Sequence, residues 1–319
     1  MKVTTKSMRN AFGAKLAEMA KTNPKVVALD GDLGNSTRLS MVEEQNPSSF
    51  LQMGIAEQNM VGVAAGLATT GIIPWVCSFA AFLTRRAYDQ IVVSVDQPSL
   101  NVKLVGAYSG LLTSNTGKSH HSFEDIALMQ TLPNMVVIAP GDAEETVQAM
   151  EAVNEHKGPT YLRLSRDETL EILPGSDHPF TIGQGRILHE GEKIAVLSTG
   201  SMSPRVYKAV KELATEDVQL THAHFPTIKP LDHNLLKKLA ESHSHLVTVE
   251  EHFISSGFGS AVSQYTSSHH PILVTRIGIE DEYSQCGKDQ ELLDFHGLSS
   301  EKLKQTFYNF YNQGCSQHD

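Results

Sequence analysis

Gly54-Ile55-Ala56-Glu57-Gln58-Asn59-Met60 sets one carboxylate, that of Glu57, at the start of a helix of unusually small residues. The helix continues through Val61-Gly62-Val63-Ala64-Ala65-Gly66-Leu67-Ala68, which is apolar on all sides. Such a helix is typical of a buried position that another backbone approaches closely. Two interpretations of Glu57 are open at this point: a functional acid, or an acid that interacts with the positive end of the helix dipole.

Short apolar strands alternate with helices on both sides of this stretch. In the first half, the pattern predicts strands at 25–29, 50–53, 74–79, 101–107, 135–139 and 160–164, and helices at 11–20, 57–70, 87–95, 123–131 and 143–154. In the second half, it predicts strands at 194–198, 218–223, 246–249 and 272–277, and helices at 205–214, 235–242, 260–266 and 300–311. This alternation predicts an α/β fold of two consecutive parallel-sheet α/β domains. A stretch rich in Pro, Gly, Ser and Asp separates them, so we expect domains at 1–170 and 191–319 with a linker at 171–190.

The composition narrows the class of partner. The chain has 319 residues, of which 40% are hydrophobic and 19% charged, and its formal net charge is -10. An acidic chain of globular composition offers no basic face, so we expect neither nucleic acid nor a membrane as a partner. Cys77, Cys286 and Cys315 lie far apart, which favours reduced thiols over a zinc site. With no signal-peptide pattern and no 18-residue apolar run, we expect a cytoplasmic protein.

Several polar or aromatic residues are candidates for a site, and each also has a purely structural interpretation. Asp32 and Ser36 follow a buried strand, where they could equally be turn and helix-cap residues. Phe79 and Phe82 are three residues apart, a spacing that is common in a core. The polar loop 110–122 contains two adjacent histidines, His120 and His121, which a packing role does not readily explain. Single arginines such as Arg9 and Arg166 bind phosphate or lie on solvated faces.

The segments Gly54–Met60 and Ser78-Phe79-Ala80-Ala81-Phe82 together resemble the thiamine-diphosphate-dependent transketolase family. The resemblance extends along nearly the whole chain. It includes Leu29-Asp30-Gly31-Asp32-Leu33-Gly34-Asn35-Ser36-Thr37, Ser122-Phe123-Glu124-Asp125-Ile126-Ala127-Leu128-Met129, Ile138-Ala139-Pro140-Gly141-Asp142-Ala143 and Glu250-Glu251-His252.

The resemblance implies a catalytic role for Glu57, whose carboxyl group would hydrogen-bond N1′ of the cofactor's aminopyrimidine. Phe79 and Phe82 would flank that ring, since aromatic faces favour offset stacking. Asp32 and Arg85 would lie near the cofactor. No metal is assigned to this chain, because no Gly-Asp-Gly with a downstream paired Asn occurs in it.

For the sugar, the resemblance implies a second catalytic residue, His120, which would contact the donor's oxygens and assist proton transfer. Arg9, Ser36 and Arg166 correspond to positions that hold the phosphate end.

This sequence departs from the family pattern mainly on the substrate side. The family usually reads Gly-Glu-Asp-Gly-x-Thr-His-Gln in the histidine loop, whereas this loop has Thr116 in place of the acid and His121 in place of Gln. Tyr108 replaces a phosphate-side histidine, and Arg85 replaces a residue that is often Tyr or Gly. Tyr108, Thr116 and His121 are therefore expected to contact a donor other than xylulose 5-phosphate, such as a branched or otherwise modified ketose phosphate.

The resemblance also implies a partner. Full-length members have an N-terminal domain that holds the cofactor's diphosphate and a divalent metal such as Mg²⁺, and that domain is expected on a separate N-terminal subunit. Shared cofactor sites imply a heterotetramer of two plus two chains, and a homodimer for this chain alone.

Three functions remain open at this stage. The first is the C-terminal subunit of a split transketolase that transfers a two-carbon ketol unit from a ketose phosphate to an aldose phosphate. The second is a related thiamine enzyme, either the β-subunit of a 2-oxo-acid dehydrogenase or a deoxyxylulose-phosphate synthase. The third is a non-catalytic module that regulates a complete transketolase.

Overall fold

The computed structural model describes residues 5–113, 115–166, 168–170 and 179–315. Strands of the first half are β1 (Thr5–Ser7), β2 (Val26–Asp30), β3 (Phe50–Gln52), β4 (Ile73–Phe79), β5 (Lys103–Ala107), β6 (Val136–Ile138), β7 (Thr160–Arg163) and β8 (Glu168–Leu170). Its helices are α1 (Met8–Thr22), α2 (Gly34–Thr37), α3 (Ser40–Gln45), α4 (Glu57–Thr69), α5 (Ala80–Arg86), α6 (Tyr88–Gln90), α7 (Asp125–Gln130) and α8 (Ala143–Glu155). A 3₁₀ turn and a π-helical turn complete this half, at Pro47–Ser49 and Ile91–Asp96.

The second half repeats the alternation. Its strands are β9 (Arg186–His189), β10 (Ile194–Ser198), β11 (Thr221–His224), β12 (Thr227–Lys229), β13 (His245–Phe253) and β14 (Leu273–Ile279). Its helices are α9 (Met202–Ala214), α10 (His233–Ser242), α11 (Phe258–His269), α12 (Asp289–Phe295) and α13 (Ser300–Cys315).

Two sheets carry the fold and confirm the α/β class. The larger has the order β12-β6-β7-β5-β4-β2-β3, and all its neighbours are parallel except β12, which is antiparallel to β6. The smaller has the order β14-β13-β10-β11-β9 and is parallel except for β9. Helices cover such sheets because parallel strands are apolar on both faces.

The structure differs from the sequence prediction at the sheet edges. β9 lies inside the predicted linker 171–190, of which 171–178 fall outside the described residues. β8 pairs with β1 in a separate antiparallel ribbon. β12 comes from the second half of the chain but joins the sheet of the first half. Four short helices were not predicted either: α2, α3, α5 and α12.

Helix α4 is buried on one side only, which corrects the expectation of a helix buried all round. Met60, Val61 and Ala64 are fully buried in the core beside β4. Gly62 and Gly66 instead face open space, with no atom within 4 Å of where a Cβ would stand. Within this chain, the close backbone approach that the small residues predict is absent from that face.

Two further expectations concern membranes and thiols. No helix in the described ranges is long and apolar enough to cross a membrane. Cys77 and Cys286 are free thiols, one buried and one exposed.

Candidate functional site

The side chain of Glu57 lies buried at the first residue of α4, with 2% of its surface exposed. Ser78, near the end of β4, donates its hydroxyl to Glu57 Oε1 at 3.2 Å. Arg86 of α5 donates Nη1 to both carboxylate oxygens at 3.1 Å. Because α4, β4 and α5 meet at this carboxylate, its position is fixed by three elements.

Aromatic rings form the wall beside this carboxylate. Phe79 ends β4, and Phe82 follows one turn into α5, with ring centroids 5.6 Å apart. Phe79 stacks on Tyr108 at 4.2 Å, and the guanidinium of Arg86 lies 4.1 Å from the centroid of Phe82. Phe79 is nearly buried, whereas Phe82 is half-buried. Phe82 therefore presents a ring face over which a planar, positively charged group already lies.

His120 approaches the same wall from the polar loop. Its ring lies edge-on to Phe82, with centroids 5.1 Å apart, and its Nδ1 pairs with Ser119 Oγ at 2.8 Å. Burial lowers the pKa of His120 below its usual value, and the nearby positive charge of Arg86 lowers it further. The imidazole is therefore neutral near pH 7 and can accept a proton.

Tyr108 connects the aromatic wall to a pair of arginines. Arg9 donates Nη1 to the Tyr108 hydroxyl at 2.7 Å and to the Ser36 carbonyl at 2.8 Å. The guanidinium carbons of Arg9 and Arg166 lie 5.4 and 5.8 Å from the Tyr108 ring centroid. Arg166 also pairs with Asp289 of α12 at 3.5 Å. The positive charges of Arg9 and Arg166, both next to the Tyr108 ring, favour binding of an anion at this position.

Asp32 is exposed in the turn after β2, with a backbone φ of 65°. The turn itself is held by Asp30, which accepts from the backbone N–H groups of Leu33 and Gly34 at 3.2 and 3.1 Å. A Cβ at Gly31 would stand 3.3 Å from Ser78 Oγ, so this turn lies against the hydroxyl that bonds Glu57. Asp32 is thus beside the site without a hydrogen-bonding role in the turn.

Three of the candidate residues contact protein groups rather than the open side of the wall. Arg85 pairs with Glu124 and donates to the His121 carbonyl at 2.7 Å. The hydroxyl of Thr116 donates to the Thr113 carbonyl at 2.8 Å. His121 is buried and stacks on Phe123 at 5.3 Å; burial, reinforced by neighbouring positive groups, lowers the pKa of His121 to about 4.

The structure therefore brings one subset of the candidates together. That subset is Glu57, Phe79, Phe82, Tyr108, His120, Arg9, Ser36 and Arg166. Sequence reasoning missed Arg86 and Ser78. The signal for Arg86 was its place one helical turn after Phe82, where a long side chain reaches back over the ring.

An open depression lies in front of Glu57. It has a volume of about 510 Å³ and is lined by Ile55, Ala56, Glu57, Gln58, Asn59 and Arg86. Ile55 is 74% exposed at its rim. Among the described residues, no group of three or more His, Cys, Asp or Glu side chains could hold a metal ion.

Comparison with known proteins identifies the class. Residues 4–170 match the transketolase pyrimidine-binding domain, and residues 183–303 match the transketolase C-terminal domain. This domain pair, with an acid at the start of α4, defines a protein of the thiamine-diphosphate-dependent α/β class.

The chain belongs to the transketolase family. It is 40% identical to a putative transketolase C-terminal section of Methanocaldococcus jannaschii, over 93% of this chain and 94% of that protein. It is 33% identical to a 6-deoxy-6-sulfo-D-fructose transketolase subunit of Clostridium sp. (strain MSTE9), over 93% and 92%. A solved structure described as a split-gene transketolase, inactive beta4 tetramer, has a TM-score of 0.85 and 37% identity, covering 95% of this chain and 97% of that chain.

Proposed function

We propose that this chain is the C-terminal subunit of a two-chain, thiamine-diphosphate-dependent transketolase. It transfers a two-carbon ketol unit from a ketose phosphate to an aldose phosphate. The observation that carries the proposal is the buried Glu57 carboxylate, which lines an open depression together with Arg86, the residue whose guanidinium lies over the ring of Phe82.

The residues present fit the aminopyrimidine of the cofactor. The guanidinium of Arg86 already lies over the ring of Phe82 while it donates to both oxygens of Glu57. A flat heterocycle with N–H donors needs the same two contacts, a ring face and a carboxylate. Glu57, Phe82 and Phe79 would hold this part of thiamine diphosphate, with Asp32 and Arg85 at the edge of its site.

Thiamine diphosphate supplies a carbon nucleophile that makes the bond beside the donor's ketone cleavable. Glu57 would share a proton with N1′ of the aminopyrimidine. His120, neutral near pH 7, would accept and return a proton at the sugar hydroxyls through Nε2, since its Nδ1 is held by Ser119.

At the other end, Arg9 and Arg166 would bind the sugar's phosphate, with Tyr108 and Ser36 orienting Arg9. Thr116 and His121 would shape the donor pocket by fixing the loop. Because these positions differ from the common family pattern, the proposed donor is a branched or modified ketose. The relative named for 6-deoxy-6-sulfo-D-fructose supports a modified donor.

The partner completes this proposal. A separate N-terminal subunit would hold the diphosphate and Mg²⁺ or another divalent metal, in an assembly of two plus two chains. The similarity to a putative C-terminal section and to a split-gene transketolase supports it. The exposed glycine face of α4 and the exposed Ile55 are surfaces that such a partner would cover.

The test uses this chain co-produced with its N-terminal subunit and a panel of ketose donors. Glu57→Gln should lower the turnover number by at least about a hundred-fold, since it removes the proton-sharing carboxyl. Glu144→Gln is the matched control, because Glu144 is an exposed acid in the first turn of α8 and has only the helix-dipole role. Equal turnover in the two variants would refute the proposal.

The same assay separates the alternatives. Carbon dioxide release that depends on pyruvate would instead favour one of the alternative functions, a 2-oxo-acid dehydrogenase β-subunit or a deoxyxylulose-phosphate synthase. Activity confined to xylulose 5-phosphate would refute the proposed donor class while leaving ketol transfer intact. A complex inactive with every donor, in which this chain still binds a complete transketolase, would favour the regulatory module.

A further inference from the structure

We propose that Glu251 is a positioning residue that fixes the His120 loop from the second domain. Glu251 lies in β13 and is 2% exposed. Its Oε1 accepts from the backbone N–H groups of Leu111 and Leu112, the latter at 3.0 Å. Its Oε2 accepts from the hydroxyl of Ser201 at 2.7 Å. One carboxylate thus ties the loop of the first domain to two elements of the second.

The contacts of Glu251 fall where the loop begins. Gly110 and Ser122 close the loop with a pair of backbone hydrogen bonds of 3.1 and 3.2 Å. Leu111 and Leu112 follow Gly110 and are fully buried in the core of the second domain. His120 lies two residues before Ser122, so displacing the start of this closed loop displaces His120 as well.

Gly110 shows how closely Glu251 packs on this loop. The φ of Gly110 is 75°, and a Cβ there would stand 2.6 Å from the Glu251 carboxyl carbon. Any side chain at this position would be strained and would collide with the carboxylate. Position 110 therefore needs a glycine for the loop to pack against the Glu251 carboxylate.

The chemistry of the contact favours a carboxylate over an amide. All three partners of Glu251 are donors, two N–H groups and one O–H, and an ionised carboxylate only accepts. A glutamine amide keeps one acceptor oxygen for the two N–H groups, but that oxygen is neutral and a weaker acceptor than a carboxylate oxygen, and its NH₂ group turns the Ser201 hydroxyl from donor to acceptor. Arg163, buried nearby, donates to the backbone carbonyl of Glu251 at 2.9 Å and supplies compensating positive charge.

Glu250 provides a matched control in the same strand. It is fully buried, and its carboxylate accepts from the backbone N–H groups of Phe258 and Gly259 at 2.6 and 2.8 Å. Those amides belong to the start of α11, inside the second domain. Glu250→Gln therefore disturbs a similar pair of amide bonds without touching the His120 loop.

The first readout is hydrogen exchange in the chain by itself, which is independent of the proposed activity. Glu251→Gln should speed exchange of the Leu111 and Leu112 amides at least about ten-fold relative to Glu250→Gln, because their acceptor is weakened. Equal exchange of these amides in both variants would overturn the proposal.

The second readout is ketol transfer by the complex, and it rests on the proposed function. Glu251→Gln should lower kcat by at least about ten-fold with little change in cofactor affinity, since misplaced catalytic groups cost turnover. Glu250→Gln should stay within about two-fold of the natural chain. Faster exchange with unchanged kcat would overturn the positioning role, whereas an inactive natural complex would refute only the proposed function.

A milder variant allows the proposal to be tested even if Glu251→Gln does not fold. Ser201→Ala removes only the third donor to Glu251 and leaves the carboxylate in place. It should shift loop exchange and kcat in the same direction as Glu251→Gln, but less. A Ser201→Ala protein that folds normally and matches the natural chain in both measurements would count against the proposal, even if Glu251→Gln did not fold.

Discussion

At the scale of single residues, Arg86 competes for the groups that the cofactor would need. It pairs with the Glu57 carboxylate and covers the face of Phe82, while 46% of its own side chain remains exposed. A half-exposed ion pair of this kind contributes up to about 1 kcal/mol. In the proposed site, cofactor entry would displace Arg86, so the pair would lower cofactor affinity by up to that amount.

Arg86→Ala is therefore expected to tighten thiamine diphosphate binding by up to about five-fold, which is about 1 kcal/mol. Calorimetric titration of the reconstituted complex measures this. Arg276→Ala, an exposed arginine on β14, is the control for loss of a positive charge. A ten-fold weakening in Arg86→Ala would show instead that Arg86 itself holds the cofactor.

The sequence predicted the position of Glu57 and of the aromatic pair, because a local motif fixes residues on adjoining elements. It could not predict which side chains pair with them. Ser78 and Arg86 reach Glu57 only after β4 and α5 pack beside α4. Which of the two adjacent arginines, Arg85 or Arg86, contacts Glu57 depends on how α5 is rotated about its axis. Arg85 points to Glu124 because it lies about 100° further round the helix.

At the scale of elements, the two faces of α4 have different surroundings, and its glycines lie on the exposed face. The buried face of α4 packs on the sheet, and the opposite face presents Gly62 and Gly66 to open space. Glycine in a helix interior costs about 1 kcal/mol relative to alanine, so its presence on an open face needs another reason. Close approach of the proposed partner subunit's backbone would supply one.

Gly66→Leu should leave the isolated chain as stable as before, or slightly more stable, since the new side chain meets no atom. The same variant should weaken association with the N-terminal subunit by at least about ten-fold, because overpacking an interface costs 1–3 kcal/mol, roughly. Thermal unfolding and analytical ultracentrifugation measure the two effects. Lys238→Leu, on an exposed position of α10, controls for an added apolar surface. Normal assembly of Gly66→Leu would place the interface elsewhere.

Elements with a local signal were predicted well, and those with a distant partner were not. Apolar periodicity located β4, α4 and β10 to within a residue or two. β12 has three residues, and its pairing partner β6 lies about 90 positions earlier in the chain, so no local pattern marks it. β9 likewise becomes a strand only by pairing with β11.

At the scale of the whole molecule, buried polar contacts join the two domains. Glu145 of α8 accepts from Arg186 of β9 at 2.8 Å and pairs with His224 of β11 at 2.7 Å. His252 of β13 accepts through Nε2 from the backbone N–H of Ala127 in α7, at 3.3 Å. Together with β12 in the first sheet, these contacts favour unfolding of both domains in one transition.

The His252 contact makes this joint unfolding depend on pH. Nε2 of His252 accepts a hydrogen bond while Nδ1 donates to the Phe253 carbonyl, so only the neutral ring fits. Burial lowers the pKa of His252 to about 4. Between pH 6.5 and 4 the unfolded chain binds the proton and the folded chain does not. The free energy of unfolding should therefore fall with decreasing pH, by up to about 1.4 kcal/mol per unit from this residue.

His252→Gln removes the titrating group but keeps an oxygen that can accept from Ala127. We expect it to abolish this part of the pH dependence, measured by urea unfolding at several values between pH 7 and 4.5. Burial raises the pKa of Glu250 to about 7, and its contribution has the opposite sign, since the folded state then binds the extra proton. Glu250 is present in both proteins, but its Oε2 lies 4.0 Å from His252 Nδ1, so the difference between their slopes reports His252 together with its effect on Glu250. The control is His269→Gln, which changes an exposed histidine and should leave the pH dependence of unfolding as in the natural chain. If the free energy of unfolding has the same pH dependence in all three proteins, protonation of His252 does not destabilise the domain contact.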